Sequence, residues 1–201
     1  MAKKKNKDNS LKYVIYSILI ILSVFAILFM VGKLLPKNYQ GYDYNGFSFI
    51  KVNNMWFTQI QPPGENKLYT IELRYGPKDL EEIPVIGKPE LFLTINKTYI
   101  TFNPTDKNLK YIGLAIGDID LNLIKVLGIE PIAACTKNHS ACSDRPIKNC
   151  DNTKAPVILV QQDPVAFVEQ RGNCLIVQGN NFEIVKAADR LLLYLYGIMG
   201  K

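Results

Sequence analysis

A chain of 201 residues is long enough for one domain plus an anchor, and a hydrophobic fraction of 48% excludes an intrinsically disordered polymer. The net charge of +6 belongs entirely to Lys3, Lys4, Lys5, Lys7, Lys12, Lys33 and Lys37, opposed by Asp8 alone; from residue 38 onward acids and bases balance. A nucleic-acid-binding domain would carry its basic face on the folded part, so no nucleic-acid partner is expected.

Residues 13–32, YVIYSILIILSVFAILFMVG, contain no charge. Twenty residues at helical rise span about 30 Å, the thickness of a bilayer's hydrocarbon core. Val24 and Ala26 would suit cleavage by a signal peptidase, but the apolar run continues through Val31, beyond the reach of a signal peptide's short core. An uncleaved signal-anchor is therefore expected, with the membrane as its partner. The lysine bias places a basic tail, residues 1–12, in the cytoplasm and residues 38–201 outside, a single-pass topology in the cell membrane. Tyr13 and Tyr16 at one end, with Tyr39, Tyr42 and Tyr44 beyond the other, suit membrane interfaces. Ser17 and Ser23 are expected to satisfy themselves on the helix backbone.

Residues 33–45, broken by Pro36 and Gly41, read as a stalk, and residues 46–201 as an exterior domain with a subdivision suggested near 135–150. GFSFIKV and MWFTQIQ flank Asn53-Asn54, a two-residue hairpin signal. LYTIELR alternates as a half-buried strand. LFLTI and TYITF flank Asn96-Lys97 and predict a second hairpin. Residues 109–127 change to helical period, with Leu109, Ile112, Ile116, Ile119, Leu123 and Val126 on one face. Gly113 and Gly117, one turn apart, admit a close helix–helix contact, but the preferred expectation is that this helix lies tightly on a sheet. PVILVQQ and AFVEQ meet at Asp163-Pro164, and Arg171-Gly172 turns into CLIVQG. A second helix follows, with Asn180 as cap, Glu183 completing a capping box, and Ile184, Ala188, Leu191, Leu195 and Ile198 as its core stripe. Strand-then-helix occurs twice, each helix ending in Gly-Ile (Gly128-Ile129, Gly197-Ile198), which suggests two related units. The expected fold class is α+β: an N-terminal transmembrane helix, then a mixed sheet domain with two main helices.

Cys135, Cys142, Cys150 and Cys174 would lie in an oxidising exterior, where four cysteines make two disulfides. Zinc at Cys135, His139, Cys142 and Cys150 lacks the close ligand pairs of structural sites and would orphan Cys174, so no metal is expected. Pairing 135–142 with 150–174 and nesting 142–150 inside 135–174 differ too little in loop entropy to choose. Geometry leans toward Cys150–Cys174, because Cys174 opens a strand two places across a predicted meander from the strand that follows Cys150. Asn96-Lys97-Thr98 and Asn138-His139-Ser140 are candidate glycosylation sites, whereas proline blocks Asn103-Pro104-Thr105.

Catalytic signatures are absent. His139 with Ser140 or Ser143 and Asp144 is too local for a triad. Asp118 and Asp120 stand two apart on a helix and point apart; Glu81-Glu82 reads as a solvated turn and Asp189-Arg190 as an ion pair. LLLYLYGIMG, residues 191–200, is apolar nearly all round; burial is its first reading, and Leu193, Tyr194 and Tyr196 are the residues a protein or membrane contact would use.

ADRLLLYLYGIM, preceded by NCLIVQG and CDNTKAPVI, resembles the C-terminal part of uncharacterised archaeal single-pass membrane proteins, and YTIELRYGPKDLEEIPV resembles their middle portion. The resemblance implies an anchored, cysteine-containing exterior domain and no assigned activity. The functional expectation is a non-catalytic interaction or envelope-assembly domain without cofactor, meeting a protein partner or another copy of itself. An envelope enzyme using scattered carboxylates and a metal sensor at the cysteine loop are the alternatives.

Overall fold

A computed structural model describes residues 5–34, 40–62 and 66–200. The start of the predicted basic tail, and Pro36, Lys37 and Tyr39 of the predicted stalk, lie outside the described residues. The chain divides into two units, residues 1–39 and 40–201.

The first unit is helix α1, Lys5–Leu34, whose segment Lys12–Val31 is long and apolar enough to cross a membrane. None of that segment is buried against protein. Ser17 and Ser23 donate to the carbonyls of Val14 and Ile20, both at 2.8 Å, so their hydroxyls are satisfied within the helix as expected.

The second unit opens with a four-stranded antiparallel meander: β1 (Gln40–Tyr44), β2 (Phe47–Val52), β3 (Met55–Ile60) and β4 (Tyr69–Leu73). The Asn53-Asn54 turn has φ of 50° and 65°, the left-handed pair a tight hairpin requires. Alternation turns Phe49, Trp56, Thr58, Ile60, Ile71 and Leu73 inward. The predicted stalk is corrected at its end: Gln40–Tyr44 pair with Phe47–Lys51 through an Asn45-Gly46 turn, so the domain begins with β1.

A six-stranded mixed sheet follows, ordered β5-β9-β10-β8-β6-β7, from β5 (Val85–Ile86), β6 (Lys97–Phe102), β7 (Glu130–Cys135), β8 (Val157–Gln162), β9 (Phe167–Arg171) and β10 (Cys174–Gly179). Strands β10, β8, β6 and β7 run parallel, and β9 is antiparallel to β10. The second predicted hairpin does not form. Pro89–Thr94 is a 3₁₀ helix that buries Pro89 and Phe92, three residues apart, and β6 takes both its partners in parallel. The predicted meander is also rearranged: β10 lies between β8 and β9, so the Asp163-Pro164 connection joins strands that are not neighbours.

Helix α2 (Leu109–Asn122) continues as a π-helical turn, Leu123–Leu127, and helix α3 (Phe182–Leu195) follows β10. Of the predicted α2 stripe, Ile112, Ile119, Leu123 and Val126 are buried while Leu109 is exposed. The predicted cap of α3 is not made by side chains. Asn181 precedes the helix at φ 52°, and Glu183 pairs with Lys186 at 2.7 Å instead of closing a capping box. Gly179 is obligatory beneath it, since a Cβ there would stand 2.6 Å from the backbone of Glu183 and Ile184. Both helices end alike: Gly128 and Gly197 have φ of 64° and 70°, and the following Ile129 and Ile198 amides donate at 2.9 Å to Leu123 and Leu193.

One core joins the two sheets through the helices. Phe49, Trp56, Ile71 and Leu73 of the meander, α3 nearly all round, and Ile158, Val160, Leu175 and Val177 of the large sheet form a single buried cluster. On the opposite face of the large sheet Val157, Cys174 and Ile176 form a smaller cluster with Tyr99, Cys150 and Phe167.

Candidate functional site

Cys150 and Cys174 belong to that second face. Cys135 and Cys142 stand at disulfide distance with Cα atoms 6.3 Å apart, and so do Cys150 and Cys174 at 5.3 Å. The loop between β7 and β8 folds back along the sheet: Lys148 N–H donates to Cys135 O at 2.9 Å, and Thr101 Oγ1 donates to Lys148 O at 2.7 Å. Asn173 Nδ2 donates to the carbonyls of Thr153 and Ala155. These bonds make the loop a cover for Val157, Cys174 and Ile176. Cys174 pairs with Val157 on the adjacent strand, not two places away, which is why the seven residues after Cys150 suffice to reach it. His139 accepts the Ala141 amide at Nδ1, 3.2 Å away, an arrangement local to its own turn. Asn96 and Asn138 are both exposed.

Several charged residues hold the architecture together. Asp118 pairs with Arg74 at 2.8 Å. Asp189 and Arg190 do not form the predicted ion pair. Asp189 is fully buried and its Oδ2 accepts the amides of Arg74 and Tyr75, both at 2.9 Å. Arg190, 3% exposed, donates from Nε to Ile83 O at 3.1 Å and from Nη2 to Gly200 O. Adjacent helix positions point about 100° apart, so the two side chains leave α3 toward different neighbours. Burial pushes the Asp189 carboxyl well above the ordinary range, with the two amides acting against it. Asp120 is raised to about 6 by burial. Glu81 and Glu82 are exposed, as a solvated turn requires.

Of the residues named for contact in the last helix, Leu193 turns inward and the two tyrosines are half-buried. Leu193 is 0% exposed. Tyr194 donates to Glu90 at 2.6 Å and Tyr196 to Asn122 at 2.7 Å. Leu193 is therefore corrected from a contact residue to internal packing, while Tyr194 and Tyr196 are half-buried and spend their hydroxyls on Glu90 and Asn122.

An exposed apolar face lies on α2. Leu114, Leu121 (45% exposed) and Ile124 (58%) lie beside Gly113 and Gly117, and a Cβ built on either glycine meets nothing within 4 Å. The expectation that these glycines admit a close-lying sheet is overturned, because their side of the helix is open. A glycine within a helix costs about 0.5–1 kcal/mol relative to alanine, and no packing inside the domain repays it here. The sequence signal was a helix with leucines on its second face as well, Leu114 and Leu121 seven residues apart.

Where α2 passes into its π turn, the walls part around a cavity of about 300 Å³ lined by Phe47, Ile60, Gln61, Pro62, Leu93, Val126, Leu127, Leu195 and Tyr196. Its lining is mainly apolar and uncharged, with Gln61 and Tyr196 as the polar side chains, and the Tyr196 hydroxyl is already bonded to Asn122. Each methylene buried there contributes about 0.8 kcal/mol. Among the described residues no group of three or more His, Cys, Asp and Glu stands in metal-binding arrangement.

No known family model matches the chain, no curated protein matches it in sequence, and no solved structure matches its fold.

Proposed function

We propose that this is a membrane-anchored extracytoplasmic domain that works by association, without catalysis, and that it associates with a second copy of itself through the outer face of α2. Residues 13–32 hold it in the cell membrane, the N-terminus stays in the cytoplasm, and the domain lies outside, as the lysine bias and the resemblance to archaeal single-pass proteins imply. The observation that carries the reading is the pair of open glycines, Gly113 and Gly117, set among exposed Leu114, Leu121 and Ile124. A two-fold contact requires one surface to fit its own copy. A groove of glycines beside a ridge of leucines on one helix face meets that requirement, because each ridge enters the other groove. Anchoring in one membrane raises the effective concentration of the two copies. The paired cysteines suit an oxidising exterior.

The test is photocrosslinking of the full chain in liposomes, with a photoreactive residue at position 121 and, as control, at position 82. A product at twice the 22.7 kDa chain mass from 121 alone, abolished by Gly117→Trp, is expected. Equal yields from 121 and 82, or none from 121, would overturn the assignment.

A further inference from the structure

We infer that the cavity beside the π turn of α2 binds the hydrocarbon chain of a single-chain amphiphile. Three observations converge on it. The space, about 300 Å³, is twice that of the dry apolar cavities that take up benzene, and it lies at the lower bound of small-ligand sites. Its walls are mainly apolar, from Phe47, Ile60, Leu93, Val126, Leu127 and Leu195, and carry no charge; Gln61 and Tyr196 are the polar side chains there, and the Tyr196 hydroxyl donates to Asn122 at 2.7 Å. The third is the helix itself: the wall holding Val126 and Leu127 is a π turn, Leu123–Leu127, closed by the Gly128 amide donating to Leu123 O. Such turns widen a helix by one residue and recur where side chains must be redirected toward a site. Here the turn directs Val126 and Leu127 to the cavity while leaving Ile124 outside. Leu93, 40% exposed at the rim, marks the way in, and the amphiphile's head remains in water there.

The inference stands apart from self-association and has its own readout. The full chain in lipid nanodiscs is irradiated with palmitic acid bearing a diazirine at its terminal carbon, and adducts are mapped by peptide mass spectrometry. Adducts on the peptides holding Leu93, Val126–Leu127 or Leu195 are expected, competed away by excess unlabelled palmitic acid. Filling the cavity by Val126→Trp should reduce them at least tenfold while labelling of residues 12–31 is unchanged. Leu127→Phe serves as a second filling variant, and retention of both cysteine pairs on non-reducing peptide mapping shows that each variant is folded. Adducts confined to residues 12–31, adducts in the domain that survive both filling variants, or labelling of the cavity only by a diacyl lipid carrying the same diazirine would overturn the inference.

Discussion

Asp189 offers the most decisive perturbation, because a fully buried carboxyl group holds the end of β4 onto α3. Its Oδ2 accepts the Arg74 and Tyr75 amides, both at 2.9 Å, and its Oδ1 is buried without a partner. Asp189→Ala leaves two amide donors without an acceptor, each costing about 1–3 kcal/mol. Removing a carboxyl that burial disfavours returns part of this, so a net loss of about 3 kcal/mol is expected. Asp189→Asn keeps an oxygen where both amides need it and should stay within about 1 kcal/mol of the parent at neutral pH. The two variants also separate by pH. Burial raises the folded carboxyl above its unfolded value, so the folded state retains a proton that the unfolded chain releases. The group's contribution is complete below about pH 4 and declines as pH rises toward the folded value. The stability of Asp189→Asn relative to the parent should therefore increase from pH 4 to pH 8. Trp56, the only tryptophan, is 8% exposed in the meander and reports unfolding by fluorescence during urea titration of the full chain in detergent. If Asp189→Asn fell as far as Asp189→Ala, or lost ground as pH rose, an ionised carboxylate would be the working form and the reasoning would fail.

Gly113→Ala and Gly117→Ala should each stabilise the domain by about 0.5–1 kcal/mol, since neither Cβ meets an obstacle; a loss of stability in the same urea titration would show that something covers this face within the domain. Replacing Cys150 and Cys174 by serine removes a longer loop constraint than replacing Cys135 and Cys142, about 3.5 against 2.5 kcal/mol by chain entropy, and the midpoints should fall in that order. Tyr196→Phe strips Asn122, 4% exposed, of the donor to its Oδ1 and should cost about 1–2 kcal/mol, measured the same way. Asp120, raised to about 6 by burial, loses its stabilising contribution between about pH 4 and 6; Asp120→Asn should remove that part of the pH dependence, and an unchanged profile would exclude Asp120 as its source.

Local features were legible where the chain's own neighbours decide them. The Asn53-Asn54 hairpin, the alternation of β4 and the inward stripe of α3 depend on residues within a few positions of each other, and they form as read. The pairing of Cys150 with Cys174 was favoured for a geometric reason only half right: the strands concerned are nearest neighbours, because β10 inserts between β8 and β9. Burial, the first reading of residues 191–200, holds for Leu193, whereas the open leucines of α2 were not singled out. Apolar residues on every side of α3 and leucines on both sides of α2 look alike in sequence, and only the distribution of neighbours separates a covered helix from an open one.

The sequence by itself determined the partition of this protein. An uncharged run of twenty residues, a lysine-rich flank and a charge-balanced remainder follow from composition and length, quantities that need no partner to be defined. Two helices, an α+β domain and a cysteine-bearing loop were also determined there, because periodicity and turn chemistry are local. Tertiary structure decided strand order, the folding of LFLTI, read as a strand, into the 3₁₀ helix Pro89–Thr94, the burial of Leu193, the separation of Asp189 from Arg190, and the open face beside Gly113 and Gly117. Each of these depends on which distant segment arrives to cover a surface or accept a hydrogen bond, and the free energy of that arrival is shared between residues far apart in the chain.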